Sequence, residues 1–434
     1  MHRSELKRLQ RRRLGDALRI ASSHPFYRDR ADYAAATTRL ETSRTEPDEK
    51  SDFSDVSDCL RDLPFLNKSE LVTEEGTAAV FALPRHRYVR WHQTSGTTGH
   101  PMIVRDTAED WRWWIDCWHD VLAAADVTAD DTALMAFSFG PFIGFWTAND
   151  ALVDLGATVI PGGGLTSTRR VELLMRQKCT VLLCTPTYAL HLSEVARQMN
   201  VDLSDGDVRR IIVAGEPGGS LPAVRRSIQT AFGGVVIDHA GGSEIGAWGY
   251  GDAEGRGLYV NEKQFVAEVF DFENPQTPRP IHFERIDFDA SVAHEDDAAT
   301  GELVLTALGR HGGPMIRYRT GDIVRPAIRS GRLMLIGGVI GRADDMVVIR
   351  GVNVFPSAVE QIIRELTPAE YRVEVTRAAS MDQLSIELED APEVAASLAV
   401  TLASRLSMRV PVASVPPDTL PRSEAKSRRW IDRR

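Results

Sequence analysis

The chain has 434 residues, a formal net charge of −10, 43% hydrophobic residues and 26% charged residues. That length exceeds one ordinary core and predicts two or more domains. The acidity argues against a nucleic-acid partner, which needs a basic face, and against an anionic membrane surface.

The first 24 residues are basic but lack the apolar core of a signal peptide. Leu6, Leu9, Leu14 and Leu18 recur at roughly helical spacing, and Glu5 and Asp16 are out of place in a transit peptide. They predict a surface helix docked on the body. No apolar run approaches the about 20 residues that span a bilayer. Residues 41–58 are acidic and poor in apolar side chains, the composition of a mobile loop. From about residue 88, strand-like runs alternate with helix-like segments, the pattern of an α/β layered domain. The runs TALMAFSF, ATVIPGG, TVLLCTP, RRIIVAGEP and GGVVIDHAGG each end in Gly, Pro or small polar residues, as strands feeding ligand loops do. Trp111, Trp114 and Trp118 have the spacing of one buried helix face. The stretch GELVLTAL to PMIRYRTGDIVRP reads as antiparallel strands. From Gly341 onward a strand-like run (MVVIRGV), a helix (SAVEQIIREL) and an alternating stretch (YRVEVTRA to LSIELED) form a small α+β module.

Cys59, Cys117, Cys179 and Cys184 form no CxxC pair and accompany no histidine cluster, so they read as buried thiols of a reducing cytoplasm. The sharpest local signal is Thr94-Ser95-Gly96-Thr97-Thr98-Gly99-His100-Pro101. Its glycines let several N–H groups point at one spot, and its hydroxyls add donors, which suits a polyphosphate. It is not a Walker A loop, since His100 stands where the lysine should be. Gly242-Ser243-Glu244 follows a strand-like run, which places a carboxylate where it could hold Mg²⁺ against phosphate oxygens. Asp322, in Arg317-Tyr318-Arg319-Thr320-Gly321-Asp322, is apt for ribose hydroxyls. Gly341-Arg342-Ala343-Asp344-Asp345-Met346 opens the last module, and Lys426 lies in the tail Leu420 to Lys426. Each charged residue alone is more simply a solvated surface group.

Taken in order, these elements resemble the phenylacetate–CoA ligase branch of the adenylate-forming superfamily. The resemblance runs from His24-Pro25-Phe26-Tyr27-Arg28 and Leu63-Pro64-Phe65 through the Thr94 loop, Thr185-Pro186-Thr187-Tyr188-Ala189-Leu190, Ala214-Gly215-Glu216-Pro217 and Gly242-Ser243-Glu244. It is closest at Ile316-Arg317-Tyr318-Arg319-Thr320 and at Gly341 through Pro356. It implies an α/β fold with a large N-terminal domain (residues 1–340) and a small mobile α+β C-terminal domain (341–434). The implied activity is ATP-dependent adenylation of an aromatic carboxylic acid, then transfer to coenzyme A. Thr94, Ser95, Gly96, Thr97, Thr98 and Gly99 would cradle the phosphates, and Glu244 would bind Mg²⁺. Gly215, Glu216, Pro217, Asp238, His239, Ala240, Gly241 and Ser243 would line the nucleotide. Asp322 would hold the ribose, Arg342 would contact ribose or phosphate, and Lys426 would bridge carboxylate and α-phosphate. Asp344 would be the hinge, and Gly351, Asn353 and Phe355 would approach the thiol acceptor. Phe139, Phe142, Gly144, Ala214 and Gly241 would form the acid pocket. Phe137 and Phe145 read more simply as core.

Two positions depart from the branch: Ala240 stands where an aromatic residue packs on adenine, and His100 replaces a lysine. Zinc-carrying relatives have clustered Cys and His that this chain lacks, so no structural zinc is expected. Three readings stay open: an aryl-CoA ligase; an adenylating enzyme with another acceptor, such as an amide synthetase or a nitrite-dependent diazotase of aminoaryl acids; and a non-enzymatic paralogue. The branch's habit also suggests a homodimer.

Overall fold

In the computed structural model of the chain, the described residues are 3–42, 56, 58–72, 79–94, 102–271, 278–281, 283–285, 299–343, 345–349, 352–378, 381–406, 408–421 and 429–434. The expected acidic loop falls almost wholly outside them, as do Ser95 to Pro101, Asp344, Gly351 and Lys426.

The first helix, Arg3–Ser23, buries Leu6, Leu14 and Leu18, as the spacing predicts. Gln10 Nε2 donates to Phe265 O at 3.2 Å, and Arg3 pairs with Glu262 at 2.6 Å, which docks it on the body. A ribbon follows, β1 (Tyr88–Gln93) against β2 (Ile103–Thr107), antiparallel.

The five predicted runs form parallel strands β3 (Thr132–Met135), β4 (Thr158–Pro161), β5 (Val181–Cys184), β6 (Arg210–Ala214) and β7 (Val235–Gly242), ordered β4-β3-β5-β6-β7. Helices Trp146–Leu155, Ser167–Arg176, Pro186–Gln198 and Pro222–Phe232 connect them. Local chemistry sets their ends. Thr166 and Thr185 accept N-cap bonds from Arg169 N and Tyr188 N. Pro186 and Pro222 start their helices, and Gly156 and Gly233 end theirs at φ 93° and 70°. Strand alternation then sorts the sheet. Leu134, Leu182, Ile211, Val213 and Val236 face the core under the three later helices. Ala133, Met135, Leu183, Ile212 and Ile237 face the other core.

Past β7 the sheet turns antiparallel through β8 (Gly246–Tyr250), β9 (Gly257–Val260), β14 (Arg332–Arg342), β13 (Tyr318–Arg329), β12 (Gly301–Ala307) and β10 (Phe265–Phe270), with β11 (Glu284–Arg285) beside β13; twelve strands join it among the described residues. Helix Ala108–Ala124 lies on the second face. Thr107 caps it reciprocally with Asp110, and Trp111, Trp113, Trp114 and Trp118 are all buried along it.

The last stretch has its own core of residues between Val347 and Trp430. It holds a ribbon of β15 (Val347–Ile349) and β16 (Val352–Val354), the predicted helix at Pro356–Leu366, and a four-stranded sheet. That sheet is ordered β19 (Val412–Ser414), β18 (Met381–Leu388), β17 (Tyr371–Ala378), β20 (Trp430–Asp432). A second helix, Pro392–Arg405, falls where the sequence reading placed none. Its initial proline and the buried Ala395, Leu398 and Leu402 are the signal that was there to read.

Candidate active site

The site forms where the parallel and antiparallel halves of the sheet meet. Thr94 and Met102 close the base of the Ser/Thr/Gly loop. Thr94 N donates to Met102 O at 2.9 Å, and Met102 N donates to Thr94 Oγ1 at 3.0 Å. The loop's ends are thus held 8 residues apart in sequence but side by side in space. Ser95 to Gly99 themselves lie outside the described residues.

Glu244 follows β7 in a tight turn and is only 7% exposed. Tyr318 Oη donates to its Oε1 at 2.6 Å, and Lys68 Nζ lies 3.5 Å from the same oxygen. Burial works against ionisation of this carboxyl, but the Lys68 charge and the Tyr318 hydroxyl outweigh it and hold the group below the usual range. A buried, ionised carboxylate results. The backbone that carries it is clamped as well. Arg310, with no exposed side-chain surface, donates through Nη1 to Ser243 O (3.1 Å) and Glu244 O (2.8 Å). Its Nη2 donates to Asp106 Oδ1 at 2.6 Å, on the strand that leaves the Thr94 loop. Asp106 is fully buried, and burial pushes its carboxyl up to about 6 despite Arg310.

Lys68 lies beside Glu244 next to a segment that Arg317 and Arg319 hold in place. Arg317, with φ 51°, donates to Glu268 through Nε and Nη2, both at 3.0 Å. Its Nη1 donates to Leu63 O and Arg61 O, and its guanidinium lies 4.2 Å from the Phe65 ring centroid. Leu66 N donates to Arg317 O, and Arg319 N donates to Leu66 O, each at 2.9 Å. Leu63-Pro64-Phe65 is thereby fastened to β13, and the short helix Lys68–Leu71 follows it. Arg319 donates through Nε to Glu302 at 3.0 Å, and its guanidinium lies 5.8 Å from the same Phe65 ring centroid. Both arginines are struts.

Asp322 and Arg342 are direct cross-strand partners on β13 and β14, with Arg342 Nη1 3.2 Å from Asp322 Oδ1. Tyr318 feels the charges of both, as well as that of Glu244. The fold thus ties Glu244 to Tyr318 and Arg342 to Asp322, the two anchors sharing β13, with Lys68 and Tyr318 as members the sequence reading did not single out.

The Gly215 loop behaves differently. Gly215 takes φ 95° after β6, and Glu216 accepts from Thr187 N at 2.9 Å and from the Thr187 hydroxyl at the start of helix Pro186–Gln198. Asp238 accepts from the Ser220 hydroxyl and is pressed against Gly219, where any Cβ would overlap it; burial raises it to about 6. It locks β7 to the loop. His239 points to the opposite face, as strand alternation demands. Its Nδ1 lies 2.8 Å from Gly249 O, and its ring centroid lies 4.3 Å from that of Trp118. Ala240 is partly buried against the same core.

From Trp118 a chain of rings continues to Phe145 (6.0 Å), Phe137 (5.2 Å), Phe139 (4.4 Å) and Trp146 (4.8 Å). Phe145 is 4% exposed and part of the core, as its bland reading held. Gly144, at φ 42°, sits where a Cβ would fall 2.8 Å from Phe137. Phe142 is 45% exposed and among the described residues makes none of these ring contacts; beside it Gln93 N donates to Pro141 O at 2.9 Å. All four cysteines are free and buried. No group of three or more His, Cys, Asp or Glu side chains that could hold a metal ion occurs among the described residues.

With this geometry, comparisons with known proteins take on meaning. The family model described as the AMP-binding enzyme C-terminal domain matches residues 351–434. The chain is 32% identical to the phenylacetate-coenzyme A ligase of Escherichia coli (strain K12), with 99% of this chain and 95% of that one covered. It is 30% identical to the phenylacetate-coenzyme A ligase of Thermus thermophilus, covering 89% and 82%. Among solved structures, 2-hydroxyisobutyryl-CoA ligase in the postadenylation state with 2-HIB-AMP is similar at a TM-score of 0.83 and 25% identity, covering 98% of this chain and 89% of that one. The same enzyme with 2-HIB-AMP and CoA in the thioesterification state is similar at 0.68 and 26%, covering 100% and 90%. Likeness at this level over almost the whole length, together with the matched C-terminal domain, makes the chain a member of the phenylacetate–coenzyme A ligase family of adenylate-forming enzymes.

Proposed function

We propose that this protein joins a small aromatic carboxylic acid to AMP at the expense of ATP and then transfers the acyl group to coenzyme A. The observation that carries the reading is that one strand, β13, holds Glu244 through the Tyr318 hydroxyl and Arg342 through Asp322, joining residues from three separate stretches. In the first half-reaction the acid's carboxylate oxygen attacks the α-phosphorus and pyrophosphate leaves. In the second the thiolate of coenzyme A attacks the acyl carbon and AMP leaves.

Ser95 to Gly99 cradle the departing phosphates, Asp322 takes the ribose hydroxyls, and Lys426 stabilises charge building at the α-phosphate. Glu244 fits Mg²⁺: it is an ionised, hard oxygen ligand at a strand end, and Mg²⁺ completes its shell with waters and phosphate oxygens rather than a protein cage. When bound, the ion neutralises charge on the phosphates. Phe139 and Trp146, the partly buried end of the ring chain, supply an apolar wall for an aryl group. Residues 341–434 form the small domain that turns about Asp344 between the half-reactions. Buried free thiols suit a reducing cytoplasm, and a homodimer is the assembly carried over from the branch. Nothing in the site favours an amine or nitrite as acceptor.

The test is a panel of aryl acids with ATP and Mg²⁺, scored for pyrophosphate release and for thioester with and without coenzyme A. Acyl-CoA formation is expected. Pyrophosphate release without thioester would remove coenzyme A as acceptor, and release with no aryl acid would sink the reading.

A further inference from the structure

Arg310 stands between the two segments proposed to hold the phosphates of ATP. Its Nη2 donates to Asp106 Oδ1 at 2.6 Å, and its Nη1 donates to Ser243 O at 3.1 Å and to Glu244 O at 2.8 Å. Asp106 lies on β2, whose pairing with β1 sets Ile103 opposite Gln93 and so closes the base of the Ser/Thr/Gly loop. Ser243 and Glu244 form the turn that carries the candidate Mg²⁺ carboxylate. One planar guanidinium spans the two, and its rigid fork transmits the placement of one segment to the other.

The arginine is itself firmly held. The amides of His311 and Gly312 both donate to Asp110 Oδ1, at 2.7 and 3.0 Å, and Tyr88 Oη donates to Gly312 O at 2.9 Å. Thr107 N donates to the other Asp110 oxygen at 3.0 Å. A single carboxylate, at the start of helix Ala108–Ala124, therefore fixes both the end of β2 and the backbone after Arg310. The guanidinium lies 5.3 Å from the Phe81 ring centroid and 5.8 Å from that of Trp114, and the residue is 1% exposed. Rearranging a charge enclosed in this way is costly, so the spacing it sets is kept.

We propose that Arg310 is a positioning residue for the first half-reaction: it fixes the base of the phosphate loop relative to the Glu244 turn. Asp106 is its anchor on the loop side. The inference rests on the adenylation reading above and deepens it. Arg310 touches no reacting atom and acts through the segments it joins. Pyrophosphate leaves in the first half-reaction and takes no part in the second, where coenzyme A displaces AMP. Loss of the fork should therefore slow adenylation and spare thioester formation, whereas a residue that only held the fold together would slow both alike. A misplacement of about 1 Å costs on the order of 100-fold in rate.

The test uses Arg310→Met combined with Asp106→Leu, which removes the pair without stranding a charge. Acyl-AMP formation from ATP, Mg²⁺ and an aryl acid should fall about 100-fold. Thioester formation from preformed acyl-AMP and coenzyme A should match the wild type. Calorimetry gives a readout without turnover. A non-hydrolysable ATP analogue with Mg²⁺ should bind the variant more weakly, and AMP, which lacks the β- and γ-phosphates, should bind as before. Arg310→Lys keeps the charge but not the fork and should recover part of the adenylation rate. Equal losses in both half-reactions, or equal weakening of AMP and the ATP analogue, would overturn the inference and leave the adenylation reading standing. Full recovery by the lysine would overturn it too, since a point charge would then suffice. Should the double variant fail to fold, Arg310→Lys decides by the same two comparisons. A wild type that releases no pyrophosphate with any aryl acid would overturn both readings together.

Discussion

Tyr318 donates its hydroxyl to Glu244 Oε1 at 2.6 Å, and the two residues are 74 positions apart in the chain. The bond joins the strand that carries Asp322 to the turn that carries the candidate Mg²⁺ ligand. With Lys68 it keeps a buried carboxyl ionised.

Tyr318→Phe removes one donor from that carboxylate. A hydrogen bond to a charged group contributes about 1.5–3 kcal/mol, so urea denaturation should show a loss in that range. The Glu244 carboxyl should also rise towards its ordinary range. The acid limb of the adenylation rate then moves to higher pH, and an unmoved limb would argue that Glu244 does not titrate in catalysis.

Arg310→Met leaves Asp106 buried without its partner and frees the Ser243 and Glu244 carbonyls. Breaking one side of such a pair costs about 3–5 kcal/mol. Adding Asp106→Leu to the same chain removes the stranded charge and should recover much of that loss. If the double variant is as unstable as the single one, the damage comes from the released carbonyls instead.

The pH dependence of stability has opposing parts. His92 and His239 are both drawn by burial to about 4 from 6.5. Between those values the unfolded chain binds their protons and the folded one does not, so each makes stability rise with pH. Asp106 and Asp238 are raised to about 6 from 3.8. Over that range the folded chain holds their protons and the unfolded one does not, so each makes stability fall with pH. The wild type should therefore change little from these four groups between about pH 4 and 6. His239→Leu removes one rising part, worth up to about 3 kcal/mol across its window. The variant's melting temperature at pH 6 relative to pH 4.5 should be lower than the wild type's.

Lys426→Ala should lower the adenylation rate by about 100- to 1,000-fold, the scale of losing one charge-stabilising group at a transition state. Nucleotide binding, read by calorimetry with a non-hydrolysable ATP analogue, should be nearly unchanged. Undiminished pyrophosphate release would remove this lysine from the chemistry.

The parallel half of the fold could be read from the chain because its signals are local. Alternating apolar runs, Thr and Pro at helix starts and Gly at helix ends act within a few residues, and they placed β3 to β7. The same holds for the Trp111, Trp114 and Trp118 face. The motif residues Glu244, Asp322 and Arg342 could be named from the chain as candidates, and the fold pairs Asp322 with Arg342 across β13 and β14. Helix Pro392–Arg405 was legible too, but its small Ala-rich face stood out less than the strands beside it.

What only the tertiary structure decided are pairings between distant segments. Arg310 and Asp106 are 204 residues apart, and Arg317 reaches back 254 residues to Leu63 O. No propensity encodes such a contact, because it depends on the order and twist of a sheet that joins strands out of sequence. The exposure of Phe142 and the face taken by His239 have the same origin. The sequence by itself determined the strands, the caps and the candidate ligands. The sheet decided which arginine is a strut and which lysine meets Glu244.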